Sequence, residues 1–548
     1  MPPPPRRPPA GIQWPLVPNS KKEGDRSTTY ANKAALKAAS GAIRPEEAAA
    51  IDAERNWRKN YGKYLLRHVS ACLEVKDGAV TAAEAGLQWV HDNFEFIKDG
   101  KTMPLSTAMA TIKSTFKTAT VTGSVPRPET PPPLRIPYKG KVLEGGELER
   151  QVVRWVEYGT IEPSAGDAIL TVMRTDEWRD LSDKYFVLLG ASSAMGPLRL
   201  LLELGANVIA VDLDRPHIWT SLLALARASS GTMTFPTKGD TAGLTDEQIA
   251  GVAGCNLLTE TPEILDWLRS THAGKPLVVG AYAYLDGELH VRVSLAMDAI
   301  IKGLTEDKAA HPAVTPAYLC TPTDIHVSTA DARAAAAKNY SPLSSPFAAL
   351  LRLTPLFWFG PLRPNFGGRL TVKGPEETYY LVDGLVNRQG PNYALAKRMQ
   401  HWRAVVARAR GGCAVSSNIA PSTATASVTH NRLFAMAYGG MHWFRPMEVF
   451  QQETSNAVMG ALLLRDVSDR RAKGASPAVP LSTPLQIFSF GAFHGGVWRL
   501  GFKMDTIGEA SILMYLLVKL LKLLVVVAVV GAGTAGLIAA SKHTAAEL

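Results

Sequence analysis

The alternation of apolar and polar positions divides the chain into three parts: a polar lead, a helical stretch, and a long run where short apolar segments alternate with amphipathic ones. From Pro45 to about Phe116 the period is helical, with Ile51, Trp57, Tyr61, Tyr64, Leu65 and Val69 on one face and Ala85, Leu87, Val90 and Phe94 following. Leu148 to Met173 reads as a further helix pair. Next, Tyr185–Leu189 is an apolar run short enough for a buried strand, and Val208–Val211 is another. The helix Pro216–Arg227 leads to a third strand expected at Val252–Leu258, and Thr261-Pro262 opens a capped helix. A fourth strand is expected at Pro276–Gly280, a helix at Val293–Leu304 and a fifth strand at Pro316–Cys320. A helix over Arg398–Arg410 then precedes a sixth strand at Gly412–Val415. This alternation predicts an α/β fold with a doubly wound, mostly parallel sheet covered by helices on both faces.

Around that core the reading sets outer segments. Residues 1–44, beginning MPPPPRRPPAG, form a disordered proline-rich arm without an apolar signal-peptide core. A helical region follows over 45–123, then a proline-rich linker over 124–137. The α/β domain spans 138–510, with an inserted subdomain at about 324–390 whose SPFAALLRLTPLFWFGPLRPNFGG is apolar yet broken by prolines. That stretch is either core of the insertion or an apolar lid that dips into a membrane surface. Met447–Leu464 reads as an amphipathic helix covering a cleft. Residues 512–540 are read as a transmembrane helix, because Leu523–Ala540 is 18 consecutive uncharged residues flanked by Lys519, Lys522 and Lys542. The GAGTAG within it mimics a flavin-binding turn but has no room after it for the second strand and its acid. The expectation is a tail-anchored chain with its bulk facing a reducing compartment, the cytosolic side of an organelle membrane.

Composition adds little. The chain has 46% apolar and 20% charged residues and a net charge of +10, which permits anionic partners such as dinucleotides or lipid headgroups. No basic stripe interleaved with aromatics suggests nucleic acid. Cys72, Cys255, Cys320 and Cys413 are scattered, which argues against zinc and a disulfide framework.

The chemistry gathers first at Tyr185–Pro216. A strand, the small-residue turn Gly190-Ala191-Ser192-Ser193-Ala194-Met195-Gly196, a helix opened by Pro197, and a second strand ending in Asp212 form a βαβ unit. Asp212, 22 residues past Gly190, suits a carboxylate accepting from an adenosine ribose. The turn resembles the TGxxxGxG loop of the short-chain dehydrogenase/reductase superfamily, with Ala194 where the middle glycine would stand. Further along, Tyr393-Ala394-Leu395-Ala396-Lys397 matches that family's Y-x-x-x-K, and Asn418-Ile419-Ala420-Pro421-Ser422 is similar to its N-x-x-P-G. The resemblance covers about residues 184–430.

The resemblance implies a Rossmann-like oxidoreductase passing hydride between nicotinamide and a carbonyl or alcohol carbon, and the C-terminal anchor together with the apolar insertion suggests a membrane-anchored enzyme with a lipophilic substrate. Gly190, Ser192, Ser193 and Gly196 would cradle the pyrophosphate, Asp212 and Lys397 the riboses, and Pro421 would lie beside the nicotinamide. Tyr393 would be the acid/base, its phenol depressed by the Lys397 ammonium one turn away. The family's serine has no clear counterpart: Thr321 or Thr323 at the end of the fifth strand could serve, whereas counting back from Tyr393 points to Tyr379 or Tyr380. Asp212 favours NAD(H), and Arg215 leaves NADP(H) open. A homo-oligomer or a membrane-complex partner is compatible with this reading. The rival is a non-catalytic scaffold of the same fold, and His430, His442 and His494 are given no role.

Overall fold

A computed structural model describes residues 9–343 and 362–544, the last stretch from 526 on as backbone alone. It is an α/β protein built on a mixed seven-stranded sheet. The strands are β1 (Lys117–Thr122), β2 (Tyr185–Leu189), β3 (Asn207–Val211), β4 (Thr232–Thr237), β5 (Leu277–Ala281), β6 (Val314–Cys320) and β7 (Ser416–Ile419). They lie side by side as β7-β6-β5-β2-β3-β4-β1. Only β1 runs antiparallel, along β4, and the other neighbours are parallel. Numbered along the chain, the six parallel strands therefore take the order 3-2-1-4-5-6, and the winding reverses between β2 and β5.

Residue alternation explains the layers. Successive strand side chains point to opposite faces. Val187 and Leu189 join a core with the helices α2 (Glu288–Glu306) and α3 (Gly390–Ala409), and the N-terminal helices complete that layer. Phe186 and Leu188 face the other core, with the helices Gly145–Tyr158, Pro163–Arg174 and Gln452–Ser468. The central strands are thus buried on both sides, which is why they read as continuous apolar runs.

Some expected elements move. The third parallel strand is Thr232–Thr237, not 252–258. Its TMTFPT carries hydroxyls where an apolar run was sought, and Thr234 pairs its hydroxyl with Thr120 of β1 at 3.1 Å. Val252 instead ends the helix Asp246–Val252, and Gly254 at φ +101° breaks any extended run. The sixth parallel strand is Ser416–Ile419, shifted by a turn in which Gly412 has φ +60°. Residues 9–44 are not a disordered arm. Gly11–Gln13 pairs antiparallel with Glu95–Lys98, and the helix Thr28–Gly41 is capped by the Ser27 side chain and buries Ala31, Ala35, Leu36 and Ala39. In the linker, Leu134 and Ile136 are buried, and Ile136–Tyr138 begins a two-stranded hairpin.

The inserted region holds a three-stranded antiparallel sheet of Ile325–Ser328, Thr378–Asp383 and Thr371–Lys373. Most of the apolar stretch read as a lid, residues 344–361, lies outside the described residues.

The membrane anchor is corrected. Among the described residues no helix is long and apolar enough to cross a membrane. The C-terminal helix α4 (Met504–Thr544) packs Ile507, Ala510 and Ser511 in the protein core against the helix Arg432–Met441. Its described side chains include the charges of Glu509, Lys519 and Lys522, which precede the apolar run Leu523–Ala540. The side chains of residues 526–540 lie outside the described residues. The expected compartment loses the observation on which it rested, and the lipophilic substrate loses its main support.

A candidate active site at the carboxyl edge of the sheet

Two of the sequence clusters meet the same edge of the sheet, where its parallel strands end. The first is the glycine turn after β2. Gly190 has φ +93°, and a Cβ placed there would stand 2.6 Å from the Ala283 backbone just beyond β5. A side chain is excluded by the backbone conformation and by the neighbouring strand. Gly190 and Ala191 donate to Val211 O, Ser193 to Gly190 O and Gly196 to Ser193 O, all at 2.9–3.1 Å. Asp212, at the end of β3, accepts the Ser192 N–H on Oδ2 at 2.6 Å and its neighbour Leu213 N–H on Oδ1 at 2.8 Å.

The turn therefore brings Gly190, Ser192, Ser193, Gly196 and Asp212 together, but it does so by consuming most of its own donors. Ser192 and Ala194 are exposed at the crest of the turn. Asp212, only 7% exposed, fits a ribose once the Ser192 N–H releases its carboxylate. A Cβ at Gly196 would meet nothing closer than 3.4 Å, so that glycine is not required by packing.

The second cluster is carried by α3 and the end of β6. Helix α3 starts at Gly390 with Pro391 in its first turn, and sets Tyr393 and Lys397 one turn apart. Thr321 is the first residue after β6, and its side chain borders the same cavity as the Tyr393 phenol. The Thr321 and Thr323 hydroxyls are 2.8 Å apart, and Thr323 Oγ1 donates to Gln389 Oε1 at 2.8 Å. Lys397 Nζ donates to Leu319 O and Gln400 Oε1, both at 3.2 Å, and stands 6.0 Å from the Tyr393 ring centre. No carboxylate pairs with Lys397 among the described residues. A cavity of about 10 Å³, room for about one water, is bounded by Tyr61, Thr321, Thr323, Asp324, Tyr393 and Lys397.

Electrostatics here follow burial. Burial raises the Tyr393 phenol above its ordinary value, against the opposing influence of the nearby Thr321 side chain. Burial likewise lowers the Lys397 ammonium. The expected depression of the phenol by Lys397 is thus reversed: with the ammonium beside the ring and hydrogen-bonded elsewhere, desolvation decides.

Sequence reasoning missed His290. It stacks on Tyr393 with ring centres 5.6 Å apart and an interplanar angle of 23°, with Tyr284 on it at 4.7 Å. It is 2% exposed, neither ring nitrogen has a partner among the described residues, and burial lowers its pKa to about 3. Nothing in the local pattern marks it, because its partner Tyr393 lies 103 residues further along.

Other expected site residues lie elsewhere. The Tyr379 hydroxyl donates to Ser482 O at 3.0 Å, and Tyr380 sits in the inserted sheet, so Thr321 rather than either tyrosine takes the place beside Tyr393. Asn418 is buried and donates to Asp466 Oδ2 at 2.6 Å. Pro421 is covered by the C-terminal chain, where a Cβ at Gly495 would come within 3.3 Å of its ring. The N-x-x-P segment ends at the right edge but is sealed by packing. No family model, no curated protein and no solved structure matches the chain.

Proposed function

We propose that the chain is an NAD(P)-dependent oxidoreductase of short-chain-dehydrogenase type, acting on a carbonyl or alcohol carbon. One observation carries the reading: Thr321, Tyr393 and Lys397 come from a strand end and a helix start far apart in sequence and converge on one cavity. The glycine turn at the same edge supports it. It stands where the winding reverses between β2 and β5, and the 3-2-1-4-5-6 order is that of doubly wound dinucleotide-binding sheets. On that order we take the sheet to be Rossmann-like.

In this reading the crest of the glycine turn takes the phosphates, and Asp212 takes the adenosine ribose after exchanging the Ser192 N–H for a hydroxyl. The nicotinamide supplies the hydride. Thr321 orients the substrate carbonyl by its hydroxyl, and Lys397 gives an ammonium for a ribose hydroxyl. Tyr393 donates its proton to the substrate oxygen. Because burial holds the phenol in its protonated form, the resting site is set for carbonyl reduction rather than alcohol oxidation. Asp212 repels a 2′-phosphate, which favours NAD(H).

The test is a thermal-shift titration of the full chain. NADH is expected to raise the melting temperature at lower concentration than NADPH, following RT ln(1 + [L]/Kd). Absence of a shift with either nucleotide at millimolar levels defeats the reading. It would leave a non-catalytic scaffold of the same fold, which the sealed Pro421 and the self-satisfied turn favour.

A further inference from the structure

His290 stands in the first turn of α2, just after the end of β5, and is left without a polar partner. It is 2% exposed, and both its ring nitrogens are buried with no hydrogen bond among the described residues. We propose that His290 holds the carboxamide of a bound nicotinamide. This rests on the reading of the glycine turn, Tyr393 and Lys397 as a nicotinamide dinucleotide site.

The neighbouring polar groups are engaged elsewhere. Glu288, on the same turn, accepts the Trp14 indole N–H on Oε2 at 2.6 Å and has Oε1 3.5 Å from Arg292 Nη1. Lys397 has its N–H groups on Leu319 O and Gln400 Oε1. Tyr284, tilted against the imidazole at 4.7 Å, sends its hydroxyl to Asp286 Oδ1 at 3.1 Å. His401 also lacks hydrogen bonds, but it has Asp324 Oδ2 3.7 Å from its Nδ1 and Phe488 packed on it at 4.2 Å. No carboxylate pairs with His290 among the described residues. Burial holds its ring neutral, and the Lys397 ammonium adds to that.

Position and chemistry select the ligand group. His290 stacks on Tyr393, and Lys397, assigned above to a ribose hydroxyl, is one turn from that tyrosine. A nicotinamide carried by that ribose brings its carboxamide to this imidazole. A neutral imidazole has one N–H donor and one bare acceptor nitrogen. A carboxamide has an oxygen for the first and an NH₂ for the second, so it answers whichever nitrogen faces it. Pro421, placed by the sequence beside the nicotinamide, is covered at Gly495 and cannot make this contact. Tyr284 is 48% exposed on the loop between β5 and α2, so on that side His290 is covered by a surface side chain rather than by core.

Calorimetric titration of the full chain with NADH and with ADP-ribose, which lacks the nicotinamide, tests the assignment. The parent is expected to bind NADH more tightly than ADP-ribose. His290→Phe keeps a ring on Tyr393 and removes both nitrogens. It should weaken NADH on the order of tenfold and leave ADP-ribose within about twofold. Its urea midpoint should rise, because two unanswered polar atoms leave the core. His290→Gln, which restores a donor and an acceptor, should recover most of the NADH affinity. Unchanged NADH affinity in His290→Phe, or equal loss of both ligands, overturns the assignment. So does a lower urea midpoint in both His290→Phe and His290→Leu, which would mean that the fold itself uses the nitrogens. If the parent binds neither ligand, the dinucleotide reading fails and the assignment falls with it. If it binds both and His290 makes no difference, the assignment alone fails.

Discussion

Two kinds of ionisable cluster lie inside this molecule, and their difference sets the candidate site apart. In the first kind every charge has its counter-charge. Asp298 on α2 accepts both Nε and Nη2 of Arg403 on α3, at 2.7 and 2.9 Å, and His91 from the N-terminal helices at 2.6 Å. Glu162 accepts His494 at 3.0 Å and Arg499 on both oxygens, tying a helix start to the C-terminal chain. Around Tyr393 the opposite holds among the described residues: an ammonium without a carboxylate partner, an imidazole without a hydrogen bond, and a phenol with a threonine hydroxyl across a small cavity. Satisfied networks rigidify a fold, whereas enclosed groups left short of partners point to a site with work outside the fold.

The largest effect should come from breaking a satisfied cluster. Arg403→Met leaves Asp298 buried with only His91, and is expected to reduce stability by about 3–5 kcal/mol in urea unfolding. A loss under about 1 kcal/mol would mean that water reaches Asp298 and that the contrast between the clusters is false. The Glu162 cluster has a pH signature of similar size. Burial alone would raise this carboxyl, but hydrogen bonds from His494 and Arg499 outweigh it and hold it at about 2, against an ordinary 4.5. A depressed carboxyl contributes stability above its unfolded value and loses it as pH falls through the folded one. About 2–3 kcal/mol should therefore disappear between pH 4.5 and 2. Glu162→Gln, already destabilised at pH 7, should show a flatter acid limb over that window.

These clusters also explain what the sequence made legible. The strands of the sheet centre announced themselves because both faces are buried, so Tyr185–Leu189 and Leu277–Ala281 read as apolar runs. β4 did not, because its threonines pair with β1, a strand contributed from the supposed helical region. The site residues Thr321, Tyr393 and Lys397 were readable from a motif and a strand end. His290, Asp298 and Arg403 were not, since their meaning lies only in contacts between segments a hundred or more residues apart. Residues 9–44 misled for a related reason: alanine-rich Thr28–Gly41 has Leu36 as its one buried large apolar side chain, yet buries its alanines closely against the helix Gly78–Asn93.

A smaller effect, of opposite sign, is expected at Asp466. Burial raises this carboxyl to about 6 despite hydrogen bonds from Ser416 and Asn418. Its neutral form is the one the fold prefers, so its contribution is full below its ordinary value near 3.8 and is lost as pH rises through about 6. Asp466→Asn keeps an oxygen for both donors, which converge on Oδ2 at 2.8 and 2.6 Å. It should stabilise the protein by on the order of 2 kcal/mol at pH 7.5 and by little at pH 4. An equal urea midpoint for parent and variant at pH 7.5 would show that Asp466 is charged without penalty.

The smallest stability effect belongs to the under-partnered site, and that is what makes it decisive. Tyr393→Phe removes a hydroxyl that shares a cavity with Thr321, and the Thr321–Thr323 hydroxyl pair at 2.8 Å is left intact. No buried charge is stranded, because Lys397 already rests on Leu319 and Gln400, and the ring still stacks on His290. The change in unfolding free energy should therefore stay within about 1 kcal/mol. Nucleotide affinity should hardly move, and reduction of any carbonyl substrate found should be lost. Lys397→Ala, by contrast, should weaken both nucleotide binding and turnover. A structural tyrosine would give the reverse pattern: a stability loss as large as that of Arg403→Met, with activity retained by whatever fraction stays folded. Measuring urea midpoint and NADH affinity side by side in Tyr393→Phe and Arg403→Met thus decides whether the partner-poor cluster is a site or merely a less perfect part of the core.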